Sequence, residues 1–158
     1  MSKLVVVLFA GLAALTVSTA AMAEPAGLKP EDQINYRQAA YKFAAWNMSK
    51  LKALLEAPQL NKEEASKAAQ AVATVANSGL GALFGPGTEK DIGKRHTHVK
   101  PELFQQSDKV KEFAISFSKE ANELAKVAAT GDAPALKVQL GKVGETCKAC
   151  HDKFRNKD

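Results

Sequence analysis

Apolar residues recur along this chain at the three-and-four spacing of amphipathic helices, in four blocks separated by turn residues and preceded by an opening run that is apolar almost throughout. In the first block Ile34, Gln38, Tyr41, Ala45, Met48 and Leu55 share one face. It starts at Pro30, followed by Glu31 and Asp32, and ends before Pro58. Proline suits a first helical turn, and acids there complement the positive end of the helix. The second block opens on Asn61-Lys62-Glu63-Glu64, an N-cap with an acid three positions on, and its apolar face is Ala65, Ala68, Val72, Val75 and Ala76 until Gly79 and Gly81 stop it. Residues 85–100 are a long charged connection broken by Gly85-Pro86-Gly87 and Gly93. A third helix is expected from near Pro101, with Leu103, Val110, Ala114, Phe117, Ala121 and Leu124 buried. Thr130-Gly131-Asp132 then reads as a stop and the next cap. The fourth stripe is Leu136, Leu140, Val143, Cys147, Cys150 and Phe154, in steps of four and three. No block alternates as a strand does. Four helices with two short connections and one longer crossover predict an all-α, antiparallel up-down-up-down four-helix bundle.

The opening run has a different reading. Lys3 precedes a nearly unbroken apolar stretch from Leu4 to Val17, and Ala21-Met22-Ala23 offers a small-x-small cleavage site before Glu24. This is the three-part pattern of a secretory signal peptide. The stretch is short for a membrane span. Residues 1–23 are therefore expected to be cleaved, leaving 24–158 as one domain exported to the periplasm with no membrane anchor.

Composition narrows the partners. Of 158 residues, 46% are hydrophobic and 25% charged, an ordinary globular balance. After the signal, 21 basic residues face 17 acidic ones, a mild excess with the signs interspersed. No aromatic-studded basic stripe is present, so nucleic acid is not an expected partner. The glycines of 79–87 have the wrong spacing for a dinucleotide or phosphate loop and follow a helix rather than a strand. No convincing nucleophile–base pair or paired-carboxylate motif stands out, so an enzyme is not expected.

One motif carries chemistry. The only two cysteines are three apart and a histidine follows at once: Cys147-Lys148-Ala149-Cys150-His151. Cys-x-x-Cys-His is the attachment motif of c-type haem. Each thiol adds to one haem vinyl group, and the adjacent histidine reaches under the ring to bind iron. Cys147 and His151 are four apart, which a helical turn brings to one face. A thioredoxin-like redox pair would need a βαβ context that is lacking. A zinc site of Cys147, Cys150, His151 and His96 or His98 would lack the usual second ligand pair. A disulfide between the two cysteines would close too small a loop to stabilise much. One covalently attached haem c per chain is the expected cofactor.

Several further stretches carry a resemblance. Lys29-Pro30-Glu31-Asp32 with Tyr36-Arg37-Gln38, then Phe84-Gly85-Pro86-Gly87-Thr88-Glu89, then Lys100-Pro101-Glu102, and finally Gly144 through Arg155 follow one another in order. Together they resemble cytochrome c′, an exported four-helix haem protein family. The resemblance implies His151 as the axial iron ligand, with Cys147 and Cys150 holding the haem. It implies Arg37 and Gln38 near the haem propionates, where a guanidinium suits a carboxylate. Arg155 matches a basic residue beside the proximal histidine, and equally suits a helix C-terminus. Tyr41 matches the distal position over the open face of iron, and Phe84 a distal-pocket aromatic that could equally be plain core. A neutral phenol is a poor ligand, so Tyr41 is expected to cover the iron without binding it.

The implied function is binding of diatomic gases, nitric oxide and carbon monoxide, at a five-coordinate high-spin haem. Nitric oxide buffering or protection follows as its use, with electron transfer beside it. The alternative is a six-coordinate, low-spin electron carrier with Met48 or a loop histidine, His96 or His98, as second ligand. Met48 lies seven residues from Tyr41, about 10 Å along a helix, so both cannot cover one iron. The family also implies a homodimer through the first two helices. Lys148, Lys153, Arg155 and Lys157 around the motif suit an acidic redox partner, although such runs also occur as solvated surface.

Overall fold

The computed structural model describes residues 27–157, so the expected signal peptide and its cleavage site lie outside the described residues. Four long helices make the molecule: α1 (Pro30–Glu56), α2 (Lys62–Ala76), α4 (Ser107–Thr130) and α5 (Ala133–Phe154). A single turn, α3 (Glu102–Gln105), precedes α4, and a 3₁₀ turn (Leu80–Leu83) follows α2. They form the expected antiparallel four-helix bundle.

The chain ends its helices where its residue types dictate. Pro30 opens α1 with Glu31 and Asp32 in the first turn. Asn61 caps α2 by accepting the Glu64 N–H (3.1 Å), and Asp132 caps α5 by accepting that of Ala135 (2.9 Å). Each such cap is worth roughly 1 kcal/mol. Gly131 closes α4 at φ +83°, in the left-handed region that glycine enters at no steric cost.

Packing is uneven around the bundle. Ala65, Ala68, Ala69 and Val72 of α2 meet Ala121, Leu124 and Ala128 of α4. These small side chains allow a close approach of the two backbones. Leu136 and Val143 of α5 and Leu51 of α1 complete this core. By contrast α1 and α5 touch each other only sparsely. The bundle is thus closed along three of its sides and open between α1 and α5.

Two sequence expectations need correction. The third helix does not run unbroken from Pro101, because Gln106 leaves helical geometry at φ −120°, ψ 52° and divides α3 from α4. Ala114 of α4 is exposed, while Leu103 of α3 and Ala121 and Leu124 of α4 are buried as expected. The inner face of α1 is also rotated from the expected one. Ile34, Arg37, Ala44, Asn47 and Leu51 are buried, while Tyr41 and Ala45 are exposed. Apolar periodicity misplaced this face because two of its members are polar. The exposed side of α1 instead carries Tyr36, Phe43 and Trp46.

Candidate haem-binding site

The open side between α1 and α5 gathers the expected residues. On α5, Cys147 and Cys150 are half-buried and not joined in a disulfide. Burial raises both thiols above their ordinary pKa. Cys147 also packs against the main core, so one end of the motif is anchored. His151 is exposed. Desolvation and then the Arg155 guanidinium lower its pKa, favouring the neutral imidazole that ligates metals.

Across the opening stands Tyr41 of α1. The residue is 40% exposed, yet its hydroxyl is desolvated enough to be pushed up to about 12, with Cys150 and Cys147 adding to the effect and Arg37 opposing it. The phenol thus stays protonated at neutral pH.

Arg37 lies one turn before Tyr41 and is 2% exposed. Its Nη1 donates to the Leu83 carbonyl (3.0 Å) and to Thr88 Oγ1 (2.8 Å). Its Nη2 donates to the Thr88 carbonyl (2.9 Å) and to Thr97 Oγ1. The guanidinium also stacks on Phe84, 4.5 Å from the ring centroid. Burial lowers its pKa. All four partners are neutral, and among the described residues no carboxylate pairs with it. These bonds use the four terminal N–H groups and leave Nε as the remaining donor. Gln38, the next residue, donates to the His96 carbonyl (2.5 Å). Both residues therefore tie α1 to the crossover.

The crossover holds its own shape. Asp91 accepts the Thr97 N–H at Oδ1 (2.8 Å) and faces His96 Nδ1 at Oδ2 (2.7 Å). Gly85 donates its N–H to Gln33 Oε1 (3.0 Å), and a Cβ there would approach that oxygen to 2.7 Å, so a larger residue would have to displace the Gln33 side chain. The far end of the crossover is laced to the end of α5. Lys100 N–H donates to the Phe154 carbonyl (2.8 Å), Asn156 N–H to that of His98 (2.9 Å), and Val99 forms a bridge with Arg155.

This arrangement fits a haem. Two thiols with the attachment spacing and a neutral histidine line one wall of an opening. On α1, one turn before Tyr41, lies a buried cation without a carboxylate partner, whose Nε alone is left to donate. Met48 is partly buried and packs against the main core cluster, as Cys147 does. His96 is engaged with Asp91, and its ring stands 6.4 Å from that of His98. Among the described residues no group of three or more His, Cys, Asp or Glu is placed to hold a metal ion by itself. Thr88, Thr97 and Asp91 were not singled out in the sequence. The sequence carried no signal for them, because Arg37 lies off the apolar stripe of α1 and its burial appears only in the fold.

Comparison with known proteins decides the family. The profile of the family described as Cytochrome C' matches residues 32–155. The chain belongs to the cytochrome c′ family. The cytochrome c′ of Rhodocyclus tenuis is 58% identical over 135 residues, covering 85% of this chain and all of that protein. A solved cytochrome c′ described as having an unusual ligand-controlled dimer dissociation superposes with a TM-score of 0.81 at 52% identity, over 84% of this chain and all of the other. The Alcaligenes xylosoxidans protein is more distant, at 30% identity and a TM-score of 0.72 over 85% of this chain and all of that one. Variants of it have been solved with nitric oxide and with carbon monoxide bound. Proteins of this family carry covalently bound haem c.

Proposed function

We propose that this protein is an exported, non-enzymatic haem c protein whose iron is five-coordinate and takes up nitric oxide and carbon monoxide. The bound haem would supply a redox-active iron with one open coordination position. Cys147 and Cys150 attach the ring and His151 holds the iron from the α5 side. Tyr41 of α1 covers the opposite face, and Arg37, Gln38 and Phe84 border the ring edge. Arg155 shapes the field at His151. The observation that carries this reading is the sparse contact between α1 and α5, with the Tyr41 phenol on one helix and Cys147, Cys150 and His151 on the other. A protonated phenol ligates poorly, so it screens the iron rather than saturating it. A small diatomic molecule gains entry by displacing one side chain. Family relatives bound to both gases support the class of ligand.

The biological use follows from that chemistry: capture of nitric oxide in the periplasm after cleavage at Ala23, with electron transfer as a second use of the same iron. A homodimer is part of the proposal. Phe43 and Trp46 stack at 5.8 Å on the outside of α1 and, with Tyr36, leave an exposed aromatic face suited to a second copy. The relative with ligand-controlled dimer dissociation supports this assembly.

The test is the visible absorption spectrum of purified holoprotein, ferric and then ferrous, before and after carbon monoxide. A high-spin spectrum that shifts with the gas is expected. A low-spin spectrum indifferent to carbon monoxide would overturn the reading in favour of a six-coordinate electron carrier with Met48, His96 or His98 as second ligand.

A further inference from the structure

Two crossover hydroxyls are polarised toward Arg37. A threonine hydroxyl has one proton to donate. Thr88 Oγ1 gives its proton to the Gly85 carbonyl (2.8 Å) and accepts from Arg37 Nη1 (2.8 Å). Thr97 Oγ1 gives its proton to the Thr88 carbonyl (3.2 Å) and accepts from Arg37 Nη2. Both hydroxyls are therefore committed as acceptors on the side that faces the guanidinium. Thr88 is fully buried and Thr97 nearly so, so water does not compete for these positions.

A buried cation without countercharge is costly, and four neutral acceptors reduce that cost without cancelling the charge. They also fix the orientation of the planar guanidinium, because its four terminal N–H groups point in set directions. Thr97 is itself pinned through its N–H by Asp91. The charge at the edge of the α1–α5 opening is thus held in place by residues of a distant loop.

We propose that Thr88 and Thr97 are positioning residues that tune the reduction potential of the haem by fixing the Arg37 charge, one helical turn before Tyr41, in its neighbourhood. The proposal rests on the haem reading above. A nearby cation favours the ferrous state, which carries one positive charge fewer than the ferric state. Loosening Arg37 weakens that bias and lowers the potential.

The measurement is a potentiometric titration of holoprotein, with covalent haem first confirmed by intact mass. Thr97→Val removes the acceptor and keeps the shape. Its ferric-to-ferrous equilibrium is expected to shift about tenfold toward ferric, a fall of about 59 mV for a one-electron couple. Thr97→Ser restores the hydroxyl and is expected to return the potential to that of the parent. In an Arg37→Met background, Thr97→Val is expected to change the potential no further, since coupled residues are not additive. Should Thr97→Val not fold, Thr97→Ala enters the same comparisons. A variant that loses thermal stability while its potential stays at the parent value overturns the proposal. So does a shift of equal size in the Arg37→Met background. A parent protein with no covalent haem overturns the haem reading itself, and is separated from the other results by mass.

Discussion

Arg37 and Thr88 stand 51 positions apart and are joined by two hydrogen bonds, Nη1 to Oγ1 at 2.8 Å and Nη2 to the carbonyl at 2.9 Å. The pair fastens α1 to the crossover at the edge of the haem opening. Replacing Arg37 by methionine keeps much of the side-chain volume and strands the buried acceptors at Leu83, Thr88 and Thr97. Since an unsatisfied buried polar group costs about 1–3 kcal/mol, Arg37→Met is expected to lose about 2–4 kcal/mol of stability. Urea denaturation of the ferric holoprotein measures it, and a loss below about 0.5 kcal/mol would show that the bonds are dispensable.

Tyr41→Ala opens the α1 wall of the site without disturbing the buried stripe of Ile34, Arg37 and Ala44. Carbon monoxide is expected to bind the ferrous variant about tenfold faster, equivalent to roughly 1.4 kcal/mol off the barrier. Stopped-flow mixing gives the rate. A rate equal to the parent's means the tyrosine is no gate.

Met48 packs against the main core. Met48→Leu is therefore expected to leave the ferric and carbon monoxide spectra unchanged and to alter stability by less than about 1.5 kcal/mol, as volume-conserving core swaps do. A spectral change from low-spin to high-spin would instead identify Met48 as an iron ligand.

The aromatic face of α1 predicts how the subunits separate. In a two-fold interface one substitution acts twice. Trp46→Lys, at a residue 58% exposed in the single chain, is expected to raise the dimer dissociation constant at least about hundredfold, or roughly 2.7 kcal/mol. Sedimentation velocity over a concentration series reads it directly. An unchanged dimer would place the interface elsewhere.

The Lys50–Glu64 ion pair, 2.5 Å between Nζ and Oε2, joins α1 to α2. The hydrogen bond from Lys50 and its charge, then Lys67, hold the Glu64 carboxyl below its ordinary pKa. A depressed folded pKa contributes stability above the unfolded carboxylate range and loses it as pH falls through the folded value. Glu64→Gln is expected to be slightly less stable than the parent at neutral pH and equal to it in acid. Added salt should narrow the neutral-pH gap. Paired thermal melts at pH 7 and below the carboxylate range test the sign.

The helices were legible in the sequence because their ends are written in single residues: Pro30, Asn61, Gly131 and Asp132 act locally, through φ restriction and capping. The face of α2 was legible because its buried positions are apolar, and that of α5 because all of its buried positions but Gln139 are. The inner face of α1 was not, since Arg37 and Asn47 are buried there while Phe43 and Trp46 face outward. A hydrophobic count scores those four residues on the wrong sides. The attachment motif was visible because three reactive side chains lie within five positions. The threonine clasp was invisible for the opposite reason. Thr88 and Thr97 look like ordinary loop residues until the fold carries Arg37 between them. The break at Gln106 likewise has no proline or glycine to announce it.

The distances along the chain also bear on how the molecule comes together. Caps close over three residues, whereas the bonds of Arg37 reach across 46, 51 and 60. Loop-closure entropy rises with the length to be closed, and local contacts form on faster timescales than remote ones. The turns and caps of the helices can assemble from neighbours alone, while the corner around Arg37 becomes specific only once the chain between α1 and the crossover has closed.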